Sequence, residues 1–280
     1  MSQRICTWGG VEGFGCLAMR MTALAATVLV ALSSPAIAAS DTYRQEGVTL
    51  RLVALSPDAE GRVQAALAVD LDPGWKTYWI APGPVGLAPA LNFSASVGLD
   101  DPAVSLPVPI RFAEGDAQSV GYDEPVAFAI DAHATSPSPV LRLSALLGVC
   151  RELCVPVQAS LEAAPSKSLS DRALVARAQS SAPPVAGSLA VASARWNAKG
   201  DALLIDAPSV REETSLEAFV SAGDGWSFGP PLLDEKGSKP VLSLPVLSRP
   251  STVAELRSID ILLTIGESAQ LSRAVPVASR

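Results

Sequence analysis

Leu147-Gly148-Val149-Cys150-Arg151-Glu152-Leu153-Cys154-Val155-Pro156 decides how the rest of the chain is read, because it brings two cysteines within four positions of each other. On the N-terminal side Leu141, Leu143, Ala145 and Leu147 share one face. On the C-terminal side Val155, Val157, Ala159 and Leu161 do the same, the period-2 pattern of half-buried strands. The stretch therefore reads as a β-hairpin with Arg151-Glu152-Leu153 as its loop. The same parity groups Cys150 with Arg142 and Ser144, and Cys154 with Gln158 and Ser160, so both sulfurs are expected on the polar side and not in the core. Facing residues at the end of such a ladder sit about 4.5 to 5.5 Å apart at Cα, inside the roughly 4.4 to 6.8 Å that a disulfide accepts. One helical turn would also bring i and i+4 together. Closing so small a ring removes only about 2 kcal/mol of chain entropy, about half of what a bridge between distant segments contributes. As a staple it is poorly placed.

Outward from this stretch, the first 39 residues read as an address. An apolar run, Met21 to Leu32, follows Arg20; it is too short to span a bilayer, and Ala36-Ile37-Ala38 ahead of Ala39 is a small-x-small cleavage signal. The expectation is a secretory signal peptide over residues 1–39, with translation beginning at Met19 or Met21 and Cys6 and Cys16 playing no part. No later apolar stretch approaches 18 residues, so no membrane span is expected in the mature chain. The destination implied is an oxidising compartment, in which an isolated cysteine pair becomes a disulfide.

Composition narrows the class. The formal charge is −7, and removal of residues 1–38 with their net +1 leaves −8, which disfavours nucleic acid and anionic lipid as partners. With 23 prolines, 20 glycines and few sustained helical patterns, the chain reads as all-β. Between residues 40 and 165, strand patterns at Val48–Ala54, Val63–Leu71, Trp75–Ile80, Leu91–Phe93 and Val126–Ala132 join the two beside the cysteines. Their number and spacing fit an immunoglobulin-like β-sandwich. Pro82-Gly83-Pro84-Val85-Gly86-Leu87-Ala88-Pro89 and Leu106-Pro107-Val108-Pro109 are stiff loops that cannot lie in central strands, and such loops at one end of a sandwich can cover a sulfur pair.

Residues 166–184 read as a helical linker, with Ser170 as the expected N-cap and Ala182-Pro183-Pro184 as the stop. Residues 185–280 offer a second set of strands, at Leu189–Arg195, Ala202–Asp206, Val241–Leu247, Ser258–Thr264 and Leu271–Val277. They read as a second, smaller β-sandwich-like domain that packs or spaces the first and carries no chemistry of its own.

Other chemistries have little to build with. His133 is the only histidine, which removes histidine relays and multi-histidine metal sites, and two cysteines with one distant histidine make a poor zinc set. Phosphate-loop and dinucleotide fingerprints are absent, so neither a cofactor nor a metal is expected. Trp75, Tyr78 and Trp79, and with them Tyr122, read first as core or sheet surface and second as a shield over the cysteines.

Several motifs recur in a telling order: Gly74-Trp75-Lys76-Thr77-Tyr78-Trp79, Pro82-Gly83 with Gly86 and Pro89, Pro107, Pro109, Arg111-Phe112, Gly121-Tyr122, and Val149-Cys150-Arg151-Glu152-Leu153-Cys154-Val155-Pro156. The series, over about residues 45 to 165, resembles the N-terminal periplasmic domain of the thiol:disulfide interchange protein DsbD family, and by cysteine spacing its ScsB-type branch. That resemblance implies an immunoglobulin-like domain that takes electrons from a membrane-embedded thiol-disulfide conductor. It passes them to periplasmic thioredoxin-fold proteins, among them disulfide isomerases and cytochrome c maturation factors. Cys150 and Cys154 match the family's redox pair, the second being the one expected to form mixed disulfides. Membrane segments and a C-terminal thioredoxin domain do not follow in this sequence, so the resemblance implies that another protein supplies the electrons. Pro84 and Val85 stand where relatives often carry an acidic and a small residue.

Two readings follow from the residues. One is an oxidoreductase module, a protein-disulfide reductase-type component working through Cys150 and Cys154. The other is a non-catalytic periplasmic binding or assembly module with a structural disulfide. Thiol-disulfide exchange needs a thiolate, an accessible sulfur and a resolving thiol. Arg151 favours a thiolate and Glu152 opposes it, so local charge alone does not name the nucleophile.

Overall fold

Among the described residues, alternation of apolar residues around short turns produces twelve strands before the one helix. They are β1 (Thr42–Gln45), β2 (Val48–Leu55), β3 (Arg62–Leu71), β4 (Lys76–Tyr78), β5 (Ala90–Asn92), β6 (Leu99–Ser105), β7 (Ile110–Glu114), β8 (Ala117–Tyr122), β9 (Val126–Ala134), β10 (Leu141–Cys150), β11 (Cys154–Ala163) and β12 (Pro165–Ser166). The computed structural model describes residues 41–206, 215–223, 225–234, 240–251 and 255–279. The signal peptide expected over residues 1–39 lies outside the described residues.

These strands form two sheets packed face to face, the all-β, immunoglobulin-like arrangement that the strand count implied. One sheet runs β1-β2-β3-β9-β6, with β12 beside β2; the other runs β11-β10-β4-β8-β7, with β5 beside β10. Their inner faces meet in a core that includes Leu50, Leu52, Leu67, Phe128 and Ile130 from the first sheet and Leu143, Leu147, Val157 and Leu161 from the second. Five strands escaped the sequence reading: β1, β6, β7, β8 and β12. They are short, only partly buried or, in β8, interrupted by polar and glycine residues, so apolar alternation marks them weakly.

Helix α1 spans Leu169–Ser181. Its N-cap is Ser168, whose hydroxyl accepts from the Asp171 amide; the sequence reading placed the cap at Ser170, two residues late. The helix does more than link. Val175 and Ala178 pack on Val53, Ala66, Ala127 and Ala129, so the outer face of β2, β3 and β9 is buried too. The alanines there let the helix approach closely, and double burial explains why Ala65 to Val69 is apolar without alternation. Arg51 and Ser166 both bond Asp171, tying the helix start to the sheet at 2.5 Å each.

After the helix come β13 (Ala194–Trp196), β14 (Ala202–Asp206), β15 (Leu216–Ser221), β16 (Ser227–Phe228), β17 (Leu232–Asp234), β18 (Val241–Ser248), β19 (Ser258–Ile265) and β20 (Ser268–Ala278). They follow one hydrogen-bonded path, β15-β19-β20-β13-β14-β18-β16, with β17 beside β18, around a second core that includes Leu203, Ile205, Leu242, Leu244, Ile261 and Leu263. The strand expected from Leu189 to Arg195 is shorter and later, because Leu189 and Val191 instead donate their amides to Gln270 and Ser272 side chains. Phe219, Leu262 and Leu271 reach out of this region into the core of the sandwich.

Candidate functional site

Strands β10 and β11 pair over ten positions, ending at Cys150 opposite Cys154 with Arg151-Glu152-Leu153 as the loop. The register is the one that the parity of the flanking residues required. A disulfide joins the cysteines, with their Cα atoms 4.1 Å apart, closer than the spacing expected for an ordinary ladder pair. The tight three-residue loop, in which the Arg151 amide bonds the Leu153 carbonyl, draws the strand ends together.

The expectation that both sulfurs face outward holds for one of them. Cys154 is exposed, whereas Cys150 is 4 % exposed. Its strand parity is polar, as read, but other elements lie across that face. Strand β4 pairs with the end of β10, Thr77 opposite Val149 and Lys76 opposite Cys150. This places Tyr78 over Gly148 and the disulfide. Its hydroxyl lies 2.9 Å from Cys150 Sγ and 3.3 Å from Cys154 Sγ.

Glycines make the room for that ring. A Cβ on Gly148 would stand 2.8 Å from both Leu87 Cβ and the Tyr78 ring, and one on Gly86 would stand 2.7 Å from the ring's other edge. The proline-rich loop 82–89 therefore holds Tyr78 against β10, anchored by the Val120 amide on the Pro82 carbonyl. Gly121, opposite Tyr78 on β8, has no space for a Cβ either, since the Thr77 carbonyl oxygen would be 2.0 Å away.

The third polar group came from a hairpin that the sequence reading missed. β7 and β8 turn through Gly115-Asp116, and Glu114 at that turn accepts from the Tyr78 hydroxyl at 2.6 Å and from Ser119 at 2.5 Å. Its Oε1 is also 3.3 Å from Cys154 Sγ. A signal existed: Glu-Gly-Asp-Ala between two short alternating runs is a tight-turn pattern, with Gly115 in the left-handed region at φ +60°. Burial, reinforced by the hydrogen bond to Glu114 and its negative charge, pushes the Tyr78 hydroxyl well above its ordinary value, so it stays protonated.

The other aromatic candidates lie elsewhere. Trp75 covers Gly47 and packs on the sandwich core. Trp79 is in that core, edge-on to Phe219 with ring centres 6.0 Å apart. Tyr122 packs on Phe128 and donates to the Pro107 carbonyl, and burial raises its hydroxyl as well. Of the four, Tyr78 is the one whose contacts reach the sulfurs.

Glu114, Cys150 and Cys154 place their ligand atoms within 4.8 Å of one another, the only such grouping among the described residues. With the sulfurs bonded to each other, no thiolate is present to ligate, and Tyr78 already sits among the three atoms. His133 is remote in the fold, its ring against Gly61. Among the described residues no helix is long and apolar enough to cross a membrane.

Comparison with known proteins agrees with this geometry. Residues 49–166 match the family model "Thiol:disulfide interchange protein DsbD, N-terminal". Among solved structures, the N-terminal periplasmic domain of ScsB from Proteus mirabilis superposes with a TM-score of 0.65 at 21 % identity, covering 86 % of this chain and 98 % of that one. The I9–I11 tandem of titin, at 11 % identity, covers 81 % of this chain and 66 % of that one, and the periplasmic chaperone SfaE, at 10 %, covers 82 % and 100 %; both have TM-scores of only 0.19. A search of curated proteins found no match. The family match spans β2 to β12 with the disulfide hairpin, and the ScsB likeness extends the fold beyond it: over residues 49–166 this chain is similar to the DsbD N-terminal family.

Proposed function

We propose that the protein is a periplasmic thiol-disulfide exchange module in which Cys150 and Cys154 relay reducing equivalents from a membrane-embedded conductor to thioredoxin-fold partners. One observation carries this reading: the two cysteines of one bond are unequal, Cys154 an exposed residue and Cys150 a buried one beneath Tyr78. The family match over residues 49–166 supports it.

The chemistry follows from that inequality. A partner thiolate attacks Cys154 Sγ, the new sulfur–sulfur bond joins the two proteins, and the Cys150–Cys154 bond breaks with Cys150 leaving as a thiolate. A second partner thiolate then attacks its own neighbour in the mixed disulfide, releasing Cys154 and carrying away the oxidised pair. Electrons leave by the reverse route. Cys154 attacks the next protein's disulfide, and Cys150 resolves the intermediate by attacking Cys154.

Tyr78 fits the leaving-group step. In the disulfide form it donates its proton to Glu114, the hydroxyl oxygen lying 2.6 Å from Glu114 Oε1 and 2.9 Å from Cys150 Sγ. Once Cys150 carries negative charge, that proton has a second anionic acceptor in place, and a hydrogen bond to a charged sulfur stabilises the leaving thiolate. The hydroxyl stays protonated to do this because burial and Glu114 raise it. Exposed Leu153 and Val155 beside Cys154 give an incoming protein apolar surface to dock on.

The test is a Cys150→Ser chain run on a non-reducing gel from cells that make the periplasmic partners. A disulfide-linked species held through Cys154 and containing a thioredoxin-fold protein is the expected result. If neither Cys150→Ser nor Cys154→Ser gives a covalent partner, and thiol trapping finds the wild-type pair fully oxidised with or without the membrane reductant, the bridge is structural. The chain is then a binding or assembly module.

A further inference from the structure

The non-cysteine side chains that touch the sulfurs, Tyr78 and Glu114, stand on elements with little support of their own. β4 has three residues and only two register pairs to each neighbour; β7 has five and ends the sheet order. Both are braced from the same place. Trp79, just past β4, and Arg111 on β7 meet three consecutive residues of β15, from the second β region.

Trp79, next to Tyr78, packs edge-on against Phe219. Arg111, three positions before Glu114, donates from Nε to Glu217 Oε2 at 3.0 Å and from Nη2 to the Ala218 carbonyl at 2.7 Å, with its guanidinium 4.8 Å over the Phe219 ring. The Arg111 side chain is 9 % exposed, so these contacts form largely out of water. A planar guanidinium held by two directed bonds and a ring face has little freedom to slide or turn. Strand alternation then sends Phe112 and Glu114 to the other face, where Phe112 lies 6.2 Å from Tyr78 and Glu114 meets the hydroxyl.

We infer that the second β region is a positioning element for the sulfur site: Arg111 and Phe219 are positioning residues that hold Tyr78 and Glu114 over the Cys150–Cys154 bond. The inference takes its functional meaning from the exchange reading above, but its geometry is independent of any partner. Displacement of β7 by an ångström breaks the contact between Glu114 and Tyr78 and uncovers Cys150. A brace that served only to join the two β regions would have no such effect at the sulfurs.

The experiment follows the rate at which dithiothreitol reduces the Cys150–Cys154 bond in the full folded chain. Arg111→Ala and Phe219→Ala each speed reduction by about fivefold to tenfold, the size of coupling that residues in one contact network show. Arg195→Ala, which removes an exposed ion pair with Asp206 elsewhere in the second region, changes it by less than about twofold. In a Tyr78→Phe/Glu114→Gln background the effect of Arg111→Ala drops below about twofold, because the groups it positions are already gone. An undiminished acceleration in that background, or no acceleration in the parent chain, overturns the inference. Should Arg111→Ala not fold, Glu217→Ala removes the partially exposed acceptor outright; it gives about a threefold acceleration that the same background abolishes, and its silence refutes the brace. Because the reductant is a small dithiol, a brace that is found while no mixed disulfide forms sinks the exchange reading alone.

Discussion

The molecule carries two long antiparallel hairpins, one in each β region, and one of them ends in a disulfide. β10 and β11 run to a three-residue loop flanked by Cys150 and Cys154; β19 and β20 run to a two-residue turn at Gly266-Glu267. Both bury a face in an apolar core, Leu143 and Leu147 in the first and Ile261 and Leu263 in the second, and the second also buries Leu262 and Leu271 against the core of the sandwich. What separates them is company at the tip. β4, the 82–89 loop and the β7–β8 turn close over the first, setting a phenol and a carboxylate against the sulfurs, while the residues at the second turn, Glu267 and Ser268, are exposed. A hairpin is scaffold; the strands laid across its end make it a site.

Four substitutions probe that contrast. The largest effect on stability belongs to the shared part. Leu147→Ala and Leu263→Ala each remove a side chain that is 1 % exposed, at a cost of about 2 to 5 kcal/mol in denaturant unfolding. Of the two, the first also alters the reduction rate of the disulfide. If Leu263→Ala moved that rate as strongly while the chain stayed folded, the tip would not be the privileged element described here.

Gly148→Ala comes next. Its Cβ would press on Leu87 and Tyr78 from 2.8 Å, and such overpacking costs about 1 to 3 kcal/mol. Since the atoms that must yield are those covering Cys150, reduction by a small dithiol should speed up even as the protein loses stability. A variant less stable but no more reactive would show that the loop and Tyr78 move without uncovering the sulfur.

The smallest effect lies far from both tips. The Ser166 hydroxyl, then Ser168 and Arg51, hold the Asp171 carboxyl below its ordinary range against the opposing pull of burial. A lowered folded-state value means that the stabilisation is complete above the ordinary aspartate range. It fades as pH falls through the lowered value. Asp171→Asn should therefore cost about 1 kcal/mol near pH 7, the cost shrinking at pH values below about 4. Its disulfide should reduce at the wild-type rate at pH 7. A cost that persists unchanged at pH 2 would assign the effect to packing of α1 and not to charge.

Particular residues show how far the sequence carries. Period-2 alternation from Leu141 to Leu161 is a local quantity, and it yielded the hairpin, its loop and the facing of Cys150 and Cys154. The motif series yielded the family likeness. Alternation fails where strands are short or barely buried, as at β1 and β7, where polar residues and glycine interrupt it, as at β8, or where both faces are covered, as at Ala65 to Val69 under α1. Glu114 was lost for that reason: it sits 36 positions from Tyr78 and 40 from Cys154, joined to them by strand order alone. Burial of Cys150 was lost too, because parity reports which face a residue takes and not what lies upon that face.

The order of residues along the chain by itself determined that this is a β protein with one sulfur pair at a hairpin's end, since backbone period and turn chemistry act over a few neighbours. Only the tertiary structure decided that the two cysteines are unequal, that Tyr78 and Glu114 attend them, and that β15 of the second region stands behind both. Those relations are contacts between segments tens to more than a hundred positions apart, and they exist only once packing of the cores has chosen which strands lie side by side.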